Sequence, residues 1–323
     1  MGNLSFGSFG LGGGHGGGHG GGHGGGHGGG HGGGHGGGHG GGHGARFGVD
    51  NGLLSAAITS TLAGIGQPDA TTLFTREENS SSLKKFKRWE TWVIPYVVLP
   101  ELLSGFKLTP MDGAGKLTMK LGEKAFSLTR PNYSQTDIED VIDKASLRNE
   151  RAAEIIAQAQ SCLPFWGSLV PIDYKQTPFT MMVMDVAYEF IKTLELCAKH
   201  EFACRRPVEL SPQVQPMIIT PGHGGFPVGH MAEATLFGCL LGKLTEPKSA
   251  ANNVQWAHLK TQFDRLADRI GDNRVVAGVH FTCDLAPSKV FGIDVAEHFS
   301  KQTNGGGTLK ELWDAARTEM ALA

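Results

Sequence analysis

From residue 134 onward the apolar positions fall with a helical period. Ile138, Val141, Ile142 and Ala145 recur at i, i+3, i+4 and i+7 behind a Thr136/Glu139 capping box, which predicts a helix. Val183, Val186, Ala187, Phe190, Ile191, Leu194 and Ala198 carry the same pattern across 180–200 and place Lys199 at the end of a long helix. The segment from Gly229 through Leu240 is nearly all apolar, the mark of a buried helix. Trp256, Leu259, Phe263, Leu266 and Ile270 form an amphipathic stripe that is expected to stop at Gly271-Asp272-Asn273. Two more helices are expected, over 275–300 and, from a Thr308/Glu311 capping box, over 308–321.

The period is different upstream. Leu117, Met119 and Leu121 alternate before a Gly122-Glu123 turn, and Phe126 and Leu128 alternate after it, which predicts a short β-hairpin over 116–129. Residues 45–110 read as irregular, with the apolar stretch Trp92–Leu103 interrupted by Pro95 and Pro100. The basic run at Lys84, Lys85, Lys87 and Arg88 reads as a solvated charged face. The fold class that follows is all-α: six helices with short connections form a bundle, with one small β-hairpin.

Composition removes the first segment from the folded part. Gly12 to Gly44 is eight copies of Gly-Gly-Gly-His, with His15, His19, His23, His27, His31, His35, His39 and His43 at the fourth positions. Such a tract has little to bury and much backbone entropy to lose, so 1–44 is expected to be a disordered tail and 45–323 the folded domain. Neutral imidazoles on a flexible chain suit nickel, zinc or copper; a soluble spacer is the alternative role.

A net charge of −2 gives no bulk attraction to nucleic acid or an anionic membrane, so any anion site must be local. Cys162, Cys197, Cys204, Cys239 and Cys283 form an odd set without zinc-like spacing, and Cys197 and Cys239 read as core residues of helices. The first residues lack the regions of a signal peptide, and no apolar run reaches the roughly 20 residues that span a bilayer. A soluble, cytoplasmic protein is expected, and a homo-oligomer stays open.

Three short segments carry charge and imidazole where a bland helix would carry neutral residues. They are Lys199-(six residues)-Arg206-Pro207, then Phe226-Pro227-Val228-Gly229-His230, then Arg274-(five residues)-His280-(three residues)-Asp284. Taken in order, the triplet resembles the signature shared by vanadium-dependent haloperoxidases, class A acid phosphatases and type 2 phosphatidic acid phosphatases. The resemblance covers 199–284 closely. It departs from the family pattern at Val228, where a serine is usual, and at Asn273, where a serine is more common.

The resemblance implies a helical bundle of the haloperoxidase and acid phosphatase type. It also implies that His280 is the apical ligand of vanadate, or the nucleophile on phosphorus, and that His230 is the general acid/base opposite it. Elementary chemistry agrees. A trigonal-bipyramidal centre spreads negative charge over three equatorial oxygens and needs several fixed donors. Lys199 offers a point charge, while Arg206 and Arg274 offer planar forks. Gly229 lets a backbone N–H approach the anion, at a helix N-terminus that favours one. Asp284, four residues beyond His280 and expected on the same helical face, is placed to hold the His280 ring in one tautomer. Valine at 228 cannot donate, so one oxygen loses a hydrogen bond.

The same pocket serves two reactions. Vanadate at His280 would let hydrogen peroxide oxidise a halide, whereas a phosphate ester would pass through a phosphohistidine. His223, seven residues before His230, resembles the extra histidine of vanadium bromoperoxidases and tilts the reading to a haloperoxidase. An acid phosphatase is the alternative, and a noncatalytic oxyanion- or metal-binding protein is a third.

Overall fold

The computed structural model describes residues 81–320 apart from 248, 250 and 251, so the Gly-Gly-Gly-His repeats and their eight histidines lie outside the described residues. The described residues fall into two units, divided between Trp92 and Val93. Within the first, helix α1 (Ser82–Phe86) is capped by the Ser81 hydroxyl, which accepts the Lys84 N–H. Lys84, Lys85, Lys87 and Arg88 are exposed around the buried Phe86, the solvated charged face that the composition predicts.

The second unit is mostly helical with a small three-stranded antiparallel sheet. It opens on α2 (Val93–Leu102), a segment whose two prolines argue against a helix in the sequence. Pro95 falls in the first turn, where no backbone N–H has an intrahelical partner to lose. Pro100 falls near the end, where only one bond is forfeited. Strands β1 (Lys107–Thr109), β2 (Lys116–Leu121) and β3 (Lys124–Thr129) follow. The predicted hairpin is β2–β3, with Leu117 opposite Leu128 and Met119 opposite Phe126, all buried; β1 adds a third strand that the alternation did not reveal.

Helix α3 (Gln135–Lys144) is capped by Ser134 with Asp137, not by Thr136 with Glu139. The Ser134 hydroxyl accepts the Asp137 N–H, and Asp137 Oδ2 accepts the Ser134 N–H. A 3-10 turn leads into α4 (Arg148–Gln160), a helix with no apolar stripe strong enough to announce it. After α5 (Leu163–Trp166) comes the long α6 (Pro178–Phe202), buried on every side from Thr180 to Tyr188. Then α7 (Pro207–Leu210), α8 (Gly229–Leu244), α9 (Asn253–Val276), α10 (Leu285–Gln302) and α11 (Thr308–Met320) complete the unit. The apolar α8 packs against α6, α9 and α10, while α6 also receives α2 and α11.

Two boundaries and one cap differ from the sequence reading. Helix α9 runs through Gly271-Asp272-Asn273 to Val276, because Gly271 is a packing glycine: a Cβ there would sit 2.5 Å from Met231 Sδ of α8. The span 275–300 is not one helix; Gly278 takes φ +82 and the chain turns through 277–284 before α10 begins. At α11 the first N–H groups, of Thr308 and Leu309, donate to the Glu101 carboxylate of α2, so the helix is capped from a neighbouring helix. Cys197 and Cys239 lie on helices as expected, but half-buried rather than in the core. Among the described residues no helix is long and apolar enough to cross a membrane.

Candidate functional site

The site is assembled from the ends of helices. At the end of α6 the chain reverses at Ala203 in the left-handed region, φ +44, and runs back beside the glycine-rich loop 221–228. Gly225 N–H donates to Cys204 O at 2.8 Å and zips the two segments together. Lys199, buried in the last turn, donates to Pro227 O, and Arg206 reaches across the loop.

Arg206 is 1% exposed and its guanidinium is the hub. Nε donates to His223 O at 3.2 Å, Nη1 to Val279 O at 2.9 Å, and Nη2 to Gly224 O at 3.4 Å. The same Nη1 lies 3.2 Å from His280 Nε2, and Nη2 lies 3.3 Å from His223 Nδ1. The sequence-predicted His223 is therefore beside Arg206, and it is exposed, at the solvent side of the cluster.

Arg274, at the end of α9, is also 1% exposed. Its Nη2 donates to Gln158 Oε1 at 3.0 Å and Ile155 O at 3.2 Å, both on α4. Its Nε and Nη1 are buried with no hydrogen-bond partner. Gln158 joins the two sides of the site, because its backbone carbonyl lies 3.2 Å from His230 Nε2 while its side chain also takes the Asn273 amide at 3.0 Å. The carbonyl end of α4 thus holds both His230 and Arg274, a fit for cationic and N–H donor groups at a helix C-terminus.

His280 sits in the turn after Gly278, and that turn is pinned from outside. Arg148 donates to Val276 O, Gln215 O and Val214 O at 2.9, 2.8 and 3.0 Å. His280 Nδ1 is buried without a partner. Asp284 does not hold this ring, contrary to the helical-face expectation, because 280–284 is not helical throughout. Its Oδ1 accepts the Tyr133 hydroxyl at 2.9 Å and its Oδ2 accepts the Phe281 N–H at 3.2 Å. It braces the turn that carries His280, and burial pushes its carboxyl up to about 7 despite those two bonds.

Five candidates, Lys199, Arg206, His230, Arg274 and His280, feel one another electrostatically. His280 is held well below the ordinary imidazole value, first by burial and then by Arg206, Lys199, His230 and Arg274. His230 is pushed down to about 3, by burial and then by Arg274; partial access to solvent moderates that effect and leaves its sign. Burial lowers Arg206 to about 10, still cationic at neutral pH, and His223 is lowered too, by burial and then by Lys199. Lys199 is lowered by burial while Glu195 opposes the shift.

Gly229, the sixth, opens α8 with its Cα against the Glu195 carboxyl; a Cβ would meet the two oxygens at 2.6 and 2.7 Å. Val228, wholly buried, caps α8 with its N–H donated to Ser288 Oγ at 2.8 Å, and Ser288 passes its own hydroxyl to Asp284 O at 2.7 Å.

Sequence reasoning did not find Gln158, Glu195, Tyr133, Arg148 or Ser288. Glu195 had a signal: a carboxylate four residues before Lys199 on a helix whose neighbours are apolar. The run Arg-Asn-Glu-Arg-Ala-Ala-Glu of α4 had one as well, its high helix propensity. Tyr133 had none.

Among the described residues no group of three or more His, Cys, Asp or Glu could hold a metal ion. The orphaned donors of Arg274 are of the kind an oxyanion would satisfy. No family model matches the chain, and no curated protein matches it either.

Proposed function

We propose that the chain is a vanadium-dependent haloperoxidase-like enzyme, built on the helical scaffold that this family shares with acid phosphatases. The observation that carries the reading is the pair of buried, unpartnered nitrogens of Arg274, Nε and Nη1, in a cluster of three cations and two neutral imidazoles. Each buried unpaired donor costs on the order of 1–3 kcal/mol, and a bound oxyanion relieves that cost.

In this reading Lys199, Arg206, Arg274 and the Gly229 N–H hold the oxygens of vanadate, and His280 offers a lone pair to the metal centre. Bound there, vanadate supplies Lewis-acid activation of hydrogen peroxide towards halide. The net reaction, halide plus peroxide plus a proton giving hypohalous acid and water, consumes a proton. In this reading His230 relays it: with Nε2 against the Gln158 carbonyl, Nδ1 is the nitrogen left to exchange a proton. Exposed His223, against Arg206, would meet halide or peroxide from solvent in this reading.

The neutrality of His280 supports a second reading as an acid phosphatase. An unprotonated imidazole is also a nucleophile for phosphorus, with His230 then protonating the leaving oxygen. One paired experiment separates the two. After vanadate loading, bromide-dependent halogenation of a dione by peroxide supports the haloperoxidase, whereas vanadate-inhibited hydrolysis of nitrophenyl phosphate supports the phosphatase. Oxyanion binding without either activity leaves a noncatalytic binder, and absence of oxyanion binding overturns every version of the proposal.

A further inference from the structure

Glu195 packs its carboxyl directly against Gly229, the residue that opens α8 at the candidate oxyanion site. It lies on α6, one turn before Lys199, is 5% exposed, and has its Oε2 buried with no hydrogen-bond partner. Its two oxygens sit so close to Gly229 that only glycine fits there. Around it are Lys199 and Lys192 from its own helix, Arg206 from the following loop, and Glu233 one turn into α8. A carboxylate only accepts hydrogen bonds, so an orphaned oxygen in this place lacks a donor.

Resting on the oxyanion reading above, we propose that Glu195 makes the site selective for protonated tetrahedral oxyanions, hydrogen phosphate, hydrogen arsenate or hydrogen vanadate, over fully deprotonated ones such as sulfate. A hydrogen phosphate brings its own O–H, which donates to Glu195 Oε2 while its other oxygens take the Lys199, Arg206 and Arg274 donors. Sulfate at neutral pH carries no proton, so it sets an oxygen lone pair against a carboxylate lone pair. Such mismatches against a buried group give discrimination of roughly 10- to 100-fold, far more than size alone, because phosphate and sulfate have nearly the same shape.

The charge on Glu195 is a contest. Burial pushes its carboxyl up, whereas Lys199 first, then Lys192 and Arg206, favour the carboxylate. Glu233 is itself pushed up to about 8, by burial and then by Glu195. Discrimination therefore widens as rising pH ionises Glu195, since a protonated Glu195 would donate to sulfate as well.

The test is calorimetric titration of the full chain at pH 8 with inorganic phosphate and with sulfate, in wild type and Glu195→Gln. Wild type is expected to bind phosphate at least about 10-fold more tightly than sulfate. Glu195→Gln, whose amide can donate, is expected to gain sulfate affinity and bring the ratio to about threefold or less. A wild-type ratio within threefold, or a variant that keeps the wild-type ratio, overturns the assignment of Glu195 while the oxyanion site stands. If neither anion binds wild type, the oxyanion reading fails and this one with it. Should Glu195→Gln not fold, the wild-type ratio decides alone.

Discussion

Arg206 Nη1 lies 3.2 Å from His280 Nε2, and a guanidinium has no lone pair to accept with. Nε2 of His280 must therefore be the acceptor, and the ring's proton belongs on the buried, unpartnered Nδ1. On the proposed function, the lone pair offered to a vanadium or phosphorus centre would be the one on the nitrogen Arg206 faces, and an incoming oxyanion would draw that guanidinium onto its own oxygens.

Proton uptake on anion binding follows from this cluster. In the protein itself His230 is pushed down to about 3 and His280 well below the ordinary value, both by burial and then by the cations around them. A bound anion opposes those cations and raises His230, so binding draws a proton from solution wherever the raised value reaches the working pH, and affinity falls as pH rises through the pKa of the complex. Phosphate titrations in buffers of different ionisation enthalpy measure the proton count directly. Proton release on binding would contradict the electrostatic account.

Arg274→Met should trade binding for stability. The variant removes two buried donors without partners and keeps similar volume, while Gln158 Oε1 retains the Asn273 amide. In anion-free buffer it is expected to be more stable than wild type by about 1–3 kcal/mol, and phosphate should no longer raise its melting temperature. Thermal melts with and without phosphate decide it; a destabilised variant that still responds to phosphate would place the anion elsewhere.

Tyr133→Phe should destabilise in a pH-dependent manner. Asp284 is raised to about 7 in the folded chain, above its unfolded value near 4. An acid with a raised folded pKa weakens the fold progressively as pH climbs between those two values, and the full cost is present above the higher one. Removing the Tyr133 hydroxyl takes away a donor that favours the carboxylate, so the variant loses more stability at pH 8.5 than at pH 5.5, by about 1–3 kcal/mol. Urea denaturation at the two pH values is the measurement, and equal losses at both would mean the hydroxyl serves packing alone.

How much of this was legible depended on whether a residue's partner was near in sequence. The alternation at Leu117, Met119 and Leu121 and the stripe from Val183 to Ala198 gave β2 and α6 because burial follows period directly. Lys199, Arg206, His230, Arg274 and His280 were legible because ionisable groups interrupt apolar runs. Asp284 was read on the wrong partner, since Gly278 breaks the helix that spacing assumed and Tyr133, which donates its hydroxyl to Asp284, lies far upstream. Gln158 was invisible for a related reason: it matters through a backbone carbonyl and an amide at the end of a helix with no strong apolar stripe.

Val228→Ser tests one of the two positions where the chain departs from the signature it resembles. The serine adds a donor at the start of α8, next to Gly229, where the oxyanion is proposed to sit. A charge-assisted hydrogen bond there is worth about 1.5–3 kcal/mol, which corresponds to a gain of roughly 10-fold or more in phosphate or vanadate affinity. The cost is packing, because Val228 is wholly buried and the smaller, polar side chain forfeits about 1–3 kcal/mol of stability. Its N–H bond to Ser288 is a backbone contact and should survive. The expected variant therefore melts lower and binds tighter. Calorimetry beside a thermal melt reads both quantities, and a variant that melts lower with unchanged affinity would mean that the oxyanion does not reach the residue 228 side chain.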